Sequence, residues 1–510
     1  MILKDILDKL DYEFFKGDKN LNIEGLCYDS RNSKKNFAFF CVEGFWDDGN
    51  KYYDDAINNG AQLIVSQRKL DLEDGISFLK VKDIRKFMSL FANIFYNNPS
   101  SKLKVFGVTG TNGKTSTTYF IKNILNELNK KSGMIGTVEI DNGKEIIKSV
   151  RTTPESIDVQ KYLRTMIDEN IEFCPMEVSS HSLDLYRVED VEFYSCVFTN
   201  LTNEHLDFHK NMKNYMESKK KLFYKSKVFN IINKDDIWGK KIIEDIKELN
   251  SKLITYSIDE ESNFRASNIE FKIDRVIYDL KIDFNNLKLE RKVQVGIPAR
   301  FSVYNSLAAI ATLVSYGFDI DDIKPILKNL KTVPGRIENI TPNEDFSVII
   351  DYAHTQDALE KVLKSINEFK PKNIITVFGC GGNRDKSKRP KMGFVAKKYS
   401  TKVIITEDNP RFELSKDIID DIIEGIEDLS NVCVVYDRKE AIKKALEIVD
   451  KDDVILIAGK GHEDYQIIKD KKIHFSDKEV VEELLKEAEN GTYIFKRTPR
   501  GDSRRDTFKQ

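Results

Sequence analysis

The sequence lacks the features that mark disulfide-stapled, zinc-clustered or membrane-spanning proteins. Its six cysteines lie far apart and form no C-x-x-C pair, which favours reduced thiols in a core. No run of about 18 apolar residues occurs, and the first residues carry early acids without a long apolar stretch. We therefore expect a cytoplasmic protein with no membrane span.

An excess of charge of either sign is also missing. Lysine and arginine number 81, and aspartate and glutamate number 83, so no strong global field favours nucleic acid or a membrane surface. The partners are expected to be small molecules that bind at local sites. With 510 residues and 40% hydrophobic content, the chain is long enough for roughly three domains.

The most informative segment that is present is residues 105–116, where an apolar strand leads through glycines into a helix. Its glycines let backbone N–H groups point at phosphate oxygens, Lys114 supplies positive charge, and Thr115 offers a hydroxyl to Mg²⁺. Val108 occupies the first glycine position of the GxxxxGK[ST] pattern, so the loop is a variant. The predicted ATP-binding loop residues are Gly110, Thr111, Asn112, Gly113, Lys114, Thr115 and Ser116.

Two segments that fit neither a strand nor a helix pattern divide the chain. The polar stretch 97–101 is interpreted as a linker, and residues 333–336 interrupt the alternation of strands and helices that begins at 102. We predict an α/β protein with a small mixed α/β N-terminal domain, a central P-loop-type parallel-sheet ATPase domain and a C-terminal Rossmann-like domain. The predicted boundaries are 1–99, 100–333 and 334–489, with a disordered basic tail at 490–510.

Polar residues cluster at the carboxyl ends of predicted strands, where open α/β sheets place their ligands. Glu177 ends the strand Phe173–Glu177, and His205 follows the strand Ser195–Thr199. A carboxylate and an imidazole there would face the phosphate loop and hold divalent cations. Either residue alone is more often an ordinary polar group, but together with the loop they indicate a catalytic site.

Six motifs occur in the order found in Mur ligases, and the sequence resembles that family over about residues 25 to 485. The motifs are GTNGKT (110–115), EVSSH (177–181), NEHLD (203–207), PGR (334–336), DYAH (351–354) and GKGHE (459–463). The resemblance implies that ATP, with Mg²⁺, drives amide formation through an acyl phosphate on a glutamate side chain. It implies the substrates UDP-N-acetylmuramoyl-L-alanyl-D-glutamate and meso-2,6-diaminopimelate, in peptidoglycan synthesis.

The resemblance also implies residue roles. The implied catalytic residues are Lys114, Glu177, His205 and Lys219. Thr115, Glu177 and His205 are implied to hold magnesium, together with Lys219 as a carbamate made from its neutral amine and CO₂. The further implied ATP contacts are Asn305, Arg336, Asp351 and His354. The implied UDP-substrate contacts are Tyr28, Ser30, Phe45, Trp46, Asp47, Thr152, Thr153, Ser179 and Arg187.

An amino-acid pocket is implied in the C-terminal domain by Arg384, Asp408, Asn409, Pro410, Arg411, Gly459 and Glu463. Residues 408–411 resemble the signature of members that use meso-diaminopimelate. That substrate is lysine with a second amino-acid head, and an arginine fork can bind the additional carboxylate bidentately. L-Lysine or another diamino acid stays an alternative.

Two other functions stay open from the sequence. A folylpoly-γ-glutamate synthetase shares the nucleotide loop and the mechanism, but its relatives lack the UDP-binding domain, so residues 1–99 argue against it. A P-loop switch protein would hydrolyse nucleotide to change shape, and it would need neither Lys219 nor the pair Arg384 and Arg411. We expect a monomer that binds no nucleic acid.

Overall fold

The structure, a computed structural model, describes residues 1–44, 47–272, 275–330, 337–341, 345–368 and 370–489. The chain divides into two compact units. The first comprises residues 1–268, 279–293 and 304–327, and the second comprises 269–278, 294–303 and the chain from 328 onward. Mostly parallel sheets with helices make up both units, which confirms the α/β fold class. The domain boundaries at 99/100 and 333/334 stay predictions.

A five-stranded sheet forms the N-terminal part of the first unit. Its strands are β1 (Phe14–Lys16), β2 (Gly25–Cys27), β3 (Phe37–Phe40), β4 (Ala61–Ser66) and β5 (Ser77–Lys80), and its helices are α1 (Leu3–Leu7), α2 (Tyr53–Asn58) and α3 (Ile84–Phe95). The order is β1-β5-β4-β3-β2, in which β1 runs antiparallel to β5 and the other pairs are parallel. Asp83 caps α3 by accepting hydrogen bonds from two backbone N–H groups.

An eleven-stranded sheet follows. Its strands are β6 (Lys104–Thr109), β7 (Met134–Ile135), β8 (Glu139–Asp141), β9 (Ile146–Lys148), β10 (Phe173–Glu177), β11 (Phe193–Phe198), β12 (Ser226–Asn233), β13 (Lys252–Ser257), β14 (Phe264–Phe271), β15 (Val276–Phe284) and β16 (Leu287–Val295). The helices are α4 (Lys114–Glu127), α5 (Ser156–Asp168), α6 (Ser180–Asp184), α7 (Leu206–His209), α8 (Met212–Lys220), α9 (Ile237–Ile246), α10 (Arg300–Tyr316) and α11 (Ile320–Lys328). The strand order is β16-β15-β14-β13-β12-β11-β6-β10-β7-β8-β9.

The register of the three central strands positions the site. Strand β6 pairs in parallel with β10 and with β11, and Val108 lies opposite Glu177 while Thr109 lies opposite Phe198. All three strands are buried on both faces along most of their length, as expected for a parallel sheet covered by helices. Their carboxyl ends therefore meet at one edge, beside the phosphate loop.

A six-stranded sheet and a hairpin form the C-terminal part of the second unit. The strands are β17 (Glu338–Asn339), β18 (Ser347–Asp351), β19 (Ile374–Phe378), β20 (Lys402–Ile405), β21 (Val432–Val434) and β22 (Val454–Ala458), with the hairpin β23 (Tyr465–Ile468) and β24 (Lys471–His474). The helices are α12 (Gln356–Asn367), α13 (Lys388–Tyr399), α14 (Ser415–Ile423), α15 (Arg438–Glu447) and α16 (Asp477–Glu489). The sheet order is β17-β18-β22-β19-β20-β21, and its strands bury apolar side chains on both faces.

Four further expectations concern the linker, the cysteines, membrane-spanning helices and the C-terminal tail. The stretch 97–101, interpreted as a linker, contributes to a packed 3₁₀ turn at Pro99–Lys102, because Pro99 and Ser100 are buried. All six cysteines are free thiols and five are buried, as expected; burial raises the pKa of Cys41 to about 12. Among the described residues, none of the helices has the length and apolarity that a bilayer crossing requires. The predicted tail at 490–510 lies outside the described residues.

Candidate active site

The phosphate loop joins β6 to α4 and has a backbone that suits glycine alone at two positions. Gly110 and Gly113 have φ values of +151° and +85°. A Cβ atom at Gly110 would lie 1.9 Å from Thr199 Oγ1, and one at Gly113 would lie 2.6 Å from Asn305 Oδ1. Because side chains are excluded, the backbone of the loop can approach a ligand closely, as phosphate binding requires.

The end of β11 holds this loop in place. The backbone N–H of Thr111 donates to the carbonyl of Asn200 (2.8 Å), and the N–H of Asn112 donates to Asn200 Oδ1 (3.0 Å). Thr199 Oγ1 in turn donates to the carbonyl oxygen of Asn112 (2.6 Å). Thr199 and Asn200 are thus structural supports that the sequence reasoning missed, although their place directly after a strand was a usable signal.

Two lysine side chains lie against the same carbonyl oxygen. Lys114 Nζ donates to the carbonyl oxygens of Gly110 and Thr111, both at 2.9 Å, and Lys219 Nζ donates to that of Gly110 at 2.8 Å. Lys219 is almost fully buried. Burial lowers the pKa of Lys219 well below its usual range, and the nearby charge of Lys114 lowers it further. The amine of Lys219 is therefore biased toward its neutral form.

Glu177 is a fully buried carboxylate that accepts three hydrogen bonds. Its Oε2 accepts hydrogen bonds from the Thr115 hydroxyl at 2.8 Å and the Thr137 hydroxyl at 3.0 Å, and its Oε1 accepts from the Thr137 backbone N–H at 2.7 Å. Carboxylate and hydroxyl oxygens side by side suit Mg²⁺. No group of three or more His, Cys, Asp or Glu suited to a metal occurs in the described chain.

Three histidines lie close to one another beside α8, the helix that carries Lys219. The ring of His205 lies 5.0 Å from that of His181 and 6.2 Å from that of Tyr215, between centroids. His209 stacks on Tyr215 at 4.7 Å, and its Nε2 lies 2.8 Å from Ser180 Oγ. His181 and His209 were missed from the sequence, where the spacing of four between His205 and His209 was the available signal.

Three of the predicted UDP-substrate contacts, Thr152, Thr153 and Ser179, lie around the end of β10 in the first unit. Thr153 Oγ1 donates to the Glu177 carbonyl (2.8 Å) and accepts from the Ser179 backbone N–H (3.1 Å). The hydroxyl of Thr152 lies 3.2 Å from that of Thr137. These three predicted residues are therefore neighbours of Glu177.

Arg187 belongs to a charged cluster beside Thr153. Its guanidinium contacts Glu155 at 2.8 Å and the Thr153 carbonyl at 3.2 Å. The carboxylate of Glu155, which is buried, also pairs with Arg151 at 2.6 Å and Arg85 at 3.3 Å. The three arginines outnumber the two nearby carboxylates, Glu155 and Asp158, and the remaining excess of positive charge suits an acidic ligand.

The predicted UDP contacts lie in the N-terminal sheet region. The Tyr28 hydroxyl donates to Asp158 Oδ2 at 2.6 Å, and burial together with that carboxylate raises the pKa of Tyr28. Ser30 is buried, whereas Asp47 is exposed and accepts from the Tyr52 hydroxyl at 2.7 Å. Phe45 and Trp46 lie outside the described residues.

The other predicted ATP contacts are divided between the two units. In the first, Asn305 is buried, and its Nδ2 has no hydrogen-bond partner among the described residues. In the second, the carboxylate of Asp351 accepts from the backbone N–H groups of Ile337 and Ala353, both at 2.8 Å. His354 Nδ1 lies 2.9 Å from the Tyr352 carbonyl. Arg336 lies outside the described residues.

Several residues predicted to form the amino-acid pocket lie close together in the second unit. Asn409 Nδ2 donates to Glu463 Oε2 at 3.0 Å, and Asn409 Oδ1 accepts from the Ile467 backbone N–H at 2.9 Å. Gly459 has a φ of +115°, and a Cβ there would lie 2.8 Å from Asp408 Oδ2. The neighbouring Pro410 is buried. Asn409 thus forms hydrogen bonds with both Glu463 and the backbone of Ile467, and Gly459 lies close to Asp408.

Two arginines flank Gly381 at this pocket. A Cβ there would lie 2.9 Å from Arg411 Nη1 and 3.8 Å from Arg384 Cγ. Arg411 Nη1 donates to the Gly382 carbonyl at 2.8 Å, whereas Arg384 is exposed. Guanidinium groups such as those of Arg411 and Arg384 are donors of the type that binds carboxylates.

Comparison with known proteins identifies the family. Residues 108–313 match the Mur ligase middle domain, and residues 335–461 match the Mur ligase, glutamate ligase domain. A protein of Clostridioides difficile (strain 630) named UDP-N-acetylmuramoyl-L-alanyl-D-glutamate--2,6-diaminopimelate ligase is 47% identical over 486 residues, which cover 95% of this chain and 99% of that protein. The chain belongs to the Mur ligase family.

Other relatives carry the same name. The Clostridium tetani (strain Massachusetts / E88) protein is 44% identical over 492 residues, which cover 96% of this Mur ligase and 100% of that protein. A solved structure of such a ligase is 26% identical, with a TM-score of 0.69, and covers 97% of this chain and 99% of its own. This similarity supports the predicted three-domain fold class of Mur ligases.

Proposed function

We propose that this Mur ligase uses ATP to join meso-2,6-diaminopimelate to UDP-N-acetylmuramoyl-L-alanyl-D-glutamate, in peptidoglycan synthesis. The observation that carries the proposal is Lys219, a buried lysine whose amine contacts the phosphate loop and whose pKa is lowered. A nucleotide switch has no need of such a residue. The relatives named for this ligation match nearly the whole chain, which supports the assignment.

In the first step, the γ-phosphoryl group of ATP passes to the glutamate side-chain carboxylate and ADP leaves. The loop glycines and Lys114 would bind the phosphates, and the Asn305 amide nitrogen, which has no hydrogen-bond partner among the described residues, offers a further donor. Thr115 and Glu177 would hold magnesium, with His205 near a second ion. Bound Mg²⁺ would neutralise negative charge on the phosphates.

Lys219 would act as a carbamate. Its neutral amine attacks CO₂, a nitrogen–carbon bond forms, and one proton is lost, so a group near Lys114 changes from a potential cation to an anion. That change replaces repulsion between the two side chains with attraction. It also adds oxygen atoms of the type that Mg²⁺ prefers.

In the second step, the amine of the incoming amino acid attacks the acyl phosphate and phosphate leaves through a tetrahedral intermediate. Thr152, Thr153, Ser179 and Arg187 would hold the dipeptide end, which their proximity to Glu177 supports. Tyr28, Ser30 and Asp47 would hold the UDP end, together with Phe45 and Trp46. Asp351, His354 and Arg336 would contact ATP.

The choice of amino acid would depend on the pocket of the second unit. Arg411 and Arg384 would bind the second carboxylate of diaminopimelate, which lysine lacks, and Glu463 would accept from an ammonium group. Asp408, Asn409, Pro410 and Gly459 would shape this pocket. The monomeric state and the cytoplasmic location remain predictions.

A phosphate-release assay tests the function. The purified protein with ATP and Mg²⁺ should release phosphate only when both UDP-N-acetylmuramoyl-L-alanyl-D-glutamate and meso-diaminopimelate are present. L-Lysine at the same concentration should support a rate at least about 100-fold lower, since the arginine contacts are lost. Release that is independent of the UDP-dipeptide would contradict the ligase, and equal rates with lysine would contradict the choice of diaminopimelate.

A further inference from the structure

The GKGHE motif contains a lysine to which none of the proposed roles applies. Lys460 is fully buried, whereas lysine side chains are rarely buried unless they are paired. Its Nζ donates to the Tyr465 carbonyl at 2.5 Å and lies 3.4 Å from Asn409 Oδ1 and 3.5 Å from Glu463 Oε2. The ammonium thus contacts two residues of the proposed amino-acid pocket at once.

These contacts fix the orientation of the Asn409 amide. Its Oδ1 receives the Ile467 N–H and lies near the Lys460 ammonium, so its Nδ2 is directed at Glu463 Oε2. Glu463 Oε2 is therefore approached by two donors, one from Asn409 and one from Lys460. A carboxylate held in this way has little rotational freedom left to lose when a ligand binds.

The same lysine attaches the hairpin to the pocket. Tyr465, whose carbonyl accepts from Lys460, begins β23, and the backbone of this hairpin bonds to Arg411 through Ile467 and Lys469. The distance from Ile467 O to Arg411 N is 3.0 Å, and that from Arg411 O to Lys469 N is 2.8 Å. Lys460 is thereby linked to both the ammonium-binding and the carboxylate-binding parts of the proposed pocket.

Stability alone does not account for a buried ammonium at this place. Removing an ammonium from water is costly, and apolar side chains of similar volume often replace buried ion pairs without loss of stability. The partners of Lys460 are instead those that a substrate would meet. We infer that Lys460 is a positioning residue, which orients Asn409 and Glu463 for the amino-acid substrate; this inference rests on the proposed function.

Steady-state kinetics of Lys460→Met test this inference. Methionine keeps an unbranched side chain but removes the ammonium. The KM for meso-diaminopimelate should rise at least tenfold, while the KM values for ATP and the UDP-dipeptide stay within twofold of the unmutated protein. Lys472→Met is the matched control, because Lys472 is exposed and its Nζ lies 3.9 Å from the ring centroid of the same Tyr465. This variant should leave all three KM values unchanged.

A double variant separates positioning from a merely structural role. If Lys460 acts through Glu463, then Lys460→Met added to Glu463→Gln should raise the KM for diaminopimelate less than twofold beyond Glu463→Gln alone. If Lys460→Met folds poorly, Lys460→Gln keeps a donor for the Tyr465 carbonyl and should show the same selective rise with a melting temperature near that of the unmutated protein.

The opposite results are equally clear. An unchanged KM for diaminopimelate in both Lys460 variants would overturn the inference but not the proposed function. The same holds if Lys460→Met raises the KM values for all three substrates and its effect multiplies with that of Glu463→Gln in the double variant. Absence of diaminopimelate-dependent phosphate release from the unmutated protein would instead overturn the proposed function, and the inference with it.

Discussion

The phosphate-loop site of the first unit and the amino-acid pocket of the second differ in the contacts that their basic side chains make. In the first, Lys114 and Lys219 share the carbonyl oxygen of Gly110, and the pKa of Lys219 is lowered. In the second, Lys460 lies near Glu463, and buried Arg389 pairs with Glu413 and Asp421 at 3.0 and 2.7 Å.

Bound phosphates, or a carbamate on Lys219, would place anions beside the two amino groups of the first site. Paired guanidinium and carboxylate groups in the second site already balance each other's charge, so they can fix the shape of a pocket. Substitutions in the first site should therefore abolish phosphate release, whereas those in the second should change the selectivity for the amino-acid substrate or the stability of the protein.

The largest effect is expected for Lys219→Ala. Loss of the carbamate would remove an anion beside the phosphates, and we expect the rate of phosphate release to fall by about 1,000-fold or more. Added acetate or another short carboxylic acid should restore part of the rate by supplying a carboxylate to the cavity. The control is Lys213→Ala on the exposed side of the same helix. Normal activity of Lys219→Ala would show that the two sites do not differ as described.

A smaller and more selective effect is expected for Arg411→Ala. The KM for meso-diaminopimelate should rise about 100-fold, as loss of a charged hydrogen-bond pair predicts, while the KM for ATP stays unchanged. Arg411→Lys keeps the charge but not the fork, and it should give an intermediate KM. Steady-state kinetics with each substrate varied in turn measure this. A parallel rise in the KM for ATP would contradict a role confined to the amino acid.

The smallest effect is expected from the charge pairs that support the pocket. Hydrogen bonds from Arg389 are the main cause that lowers the pKa of Glu413 from 4.5 to about 2. A lowered carboxylate pKa adds stability that is fully present above pH 4.5 and is lost as the pH falls toward 2. Glu413→Gln should therefore lower the free energy of unfolding at pH 7 by on the order of 1–2 kcal/mol after allowance for solvent screening.

Thermal unfolding between pH 7 and pH 3 measures this contribution. The melting temperature of the unmutated protein should fall more steeply below pH 4.5 than that of Glu413→Gln, because the variant has no proton to take up at this position. Exposed Glu427→Gln serves as the control and should follow the unmutated protein. Identical slopes for all three would show that the pair contributes nothing to folding.

Much of the sheet architecture could be predicted because parallel strands buried on both faces are continuous apolar runs. The predicted strand Phe173–Glu177 agrees with β10, and the predicted strand Ser195–Thr199 overlaps β11. The antiparallel extension β7–β9 was not predicted, since strands of two or three residues carry too little pattern. The pairing of β23 with β24 was missed for a similar reason.

The candidate site likewise contains residues that a local sequence pattern predicts and contacts that no local pattern predicts. Loop glycines, Lys114 and Thr115 could be predicted because neighbours in sequence act together there. In contrast, Glu177 contacts Thr137, which lies 40 positions away in the sequence, and Lys460 contacts Asn409, which lies 51 positions away. Such pairs depend on strand order and loop path, which no local pattern contains.

The sequence by itself determined the family, the α/β class and the phosphate loop, because these follow from apolar periodicity and from local motifs with a physical role. Tertiary structure alone decided which charged side chains are buried and which groups they contact. Burial and distance set the pKa of Lys219 and the environment of Lys460, and both depend on which segments the fold brings together.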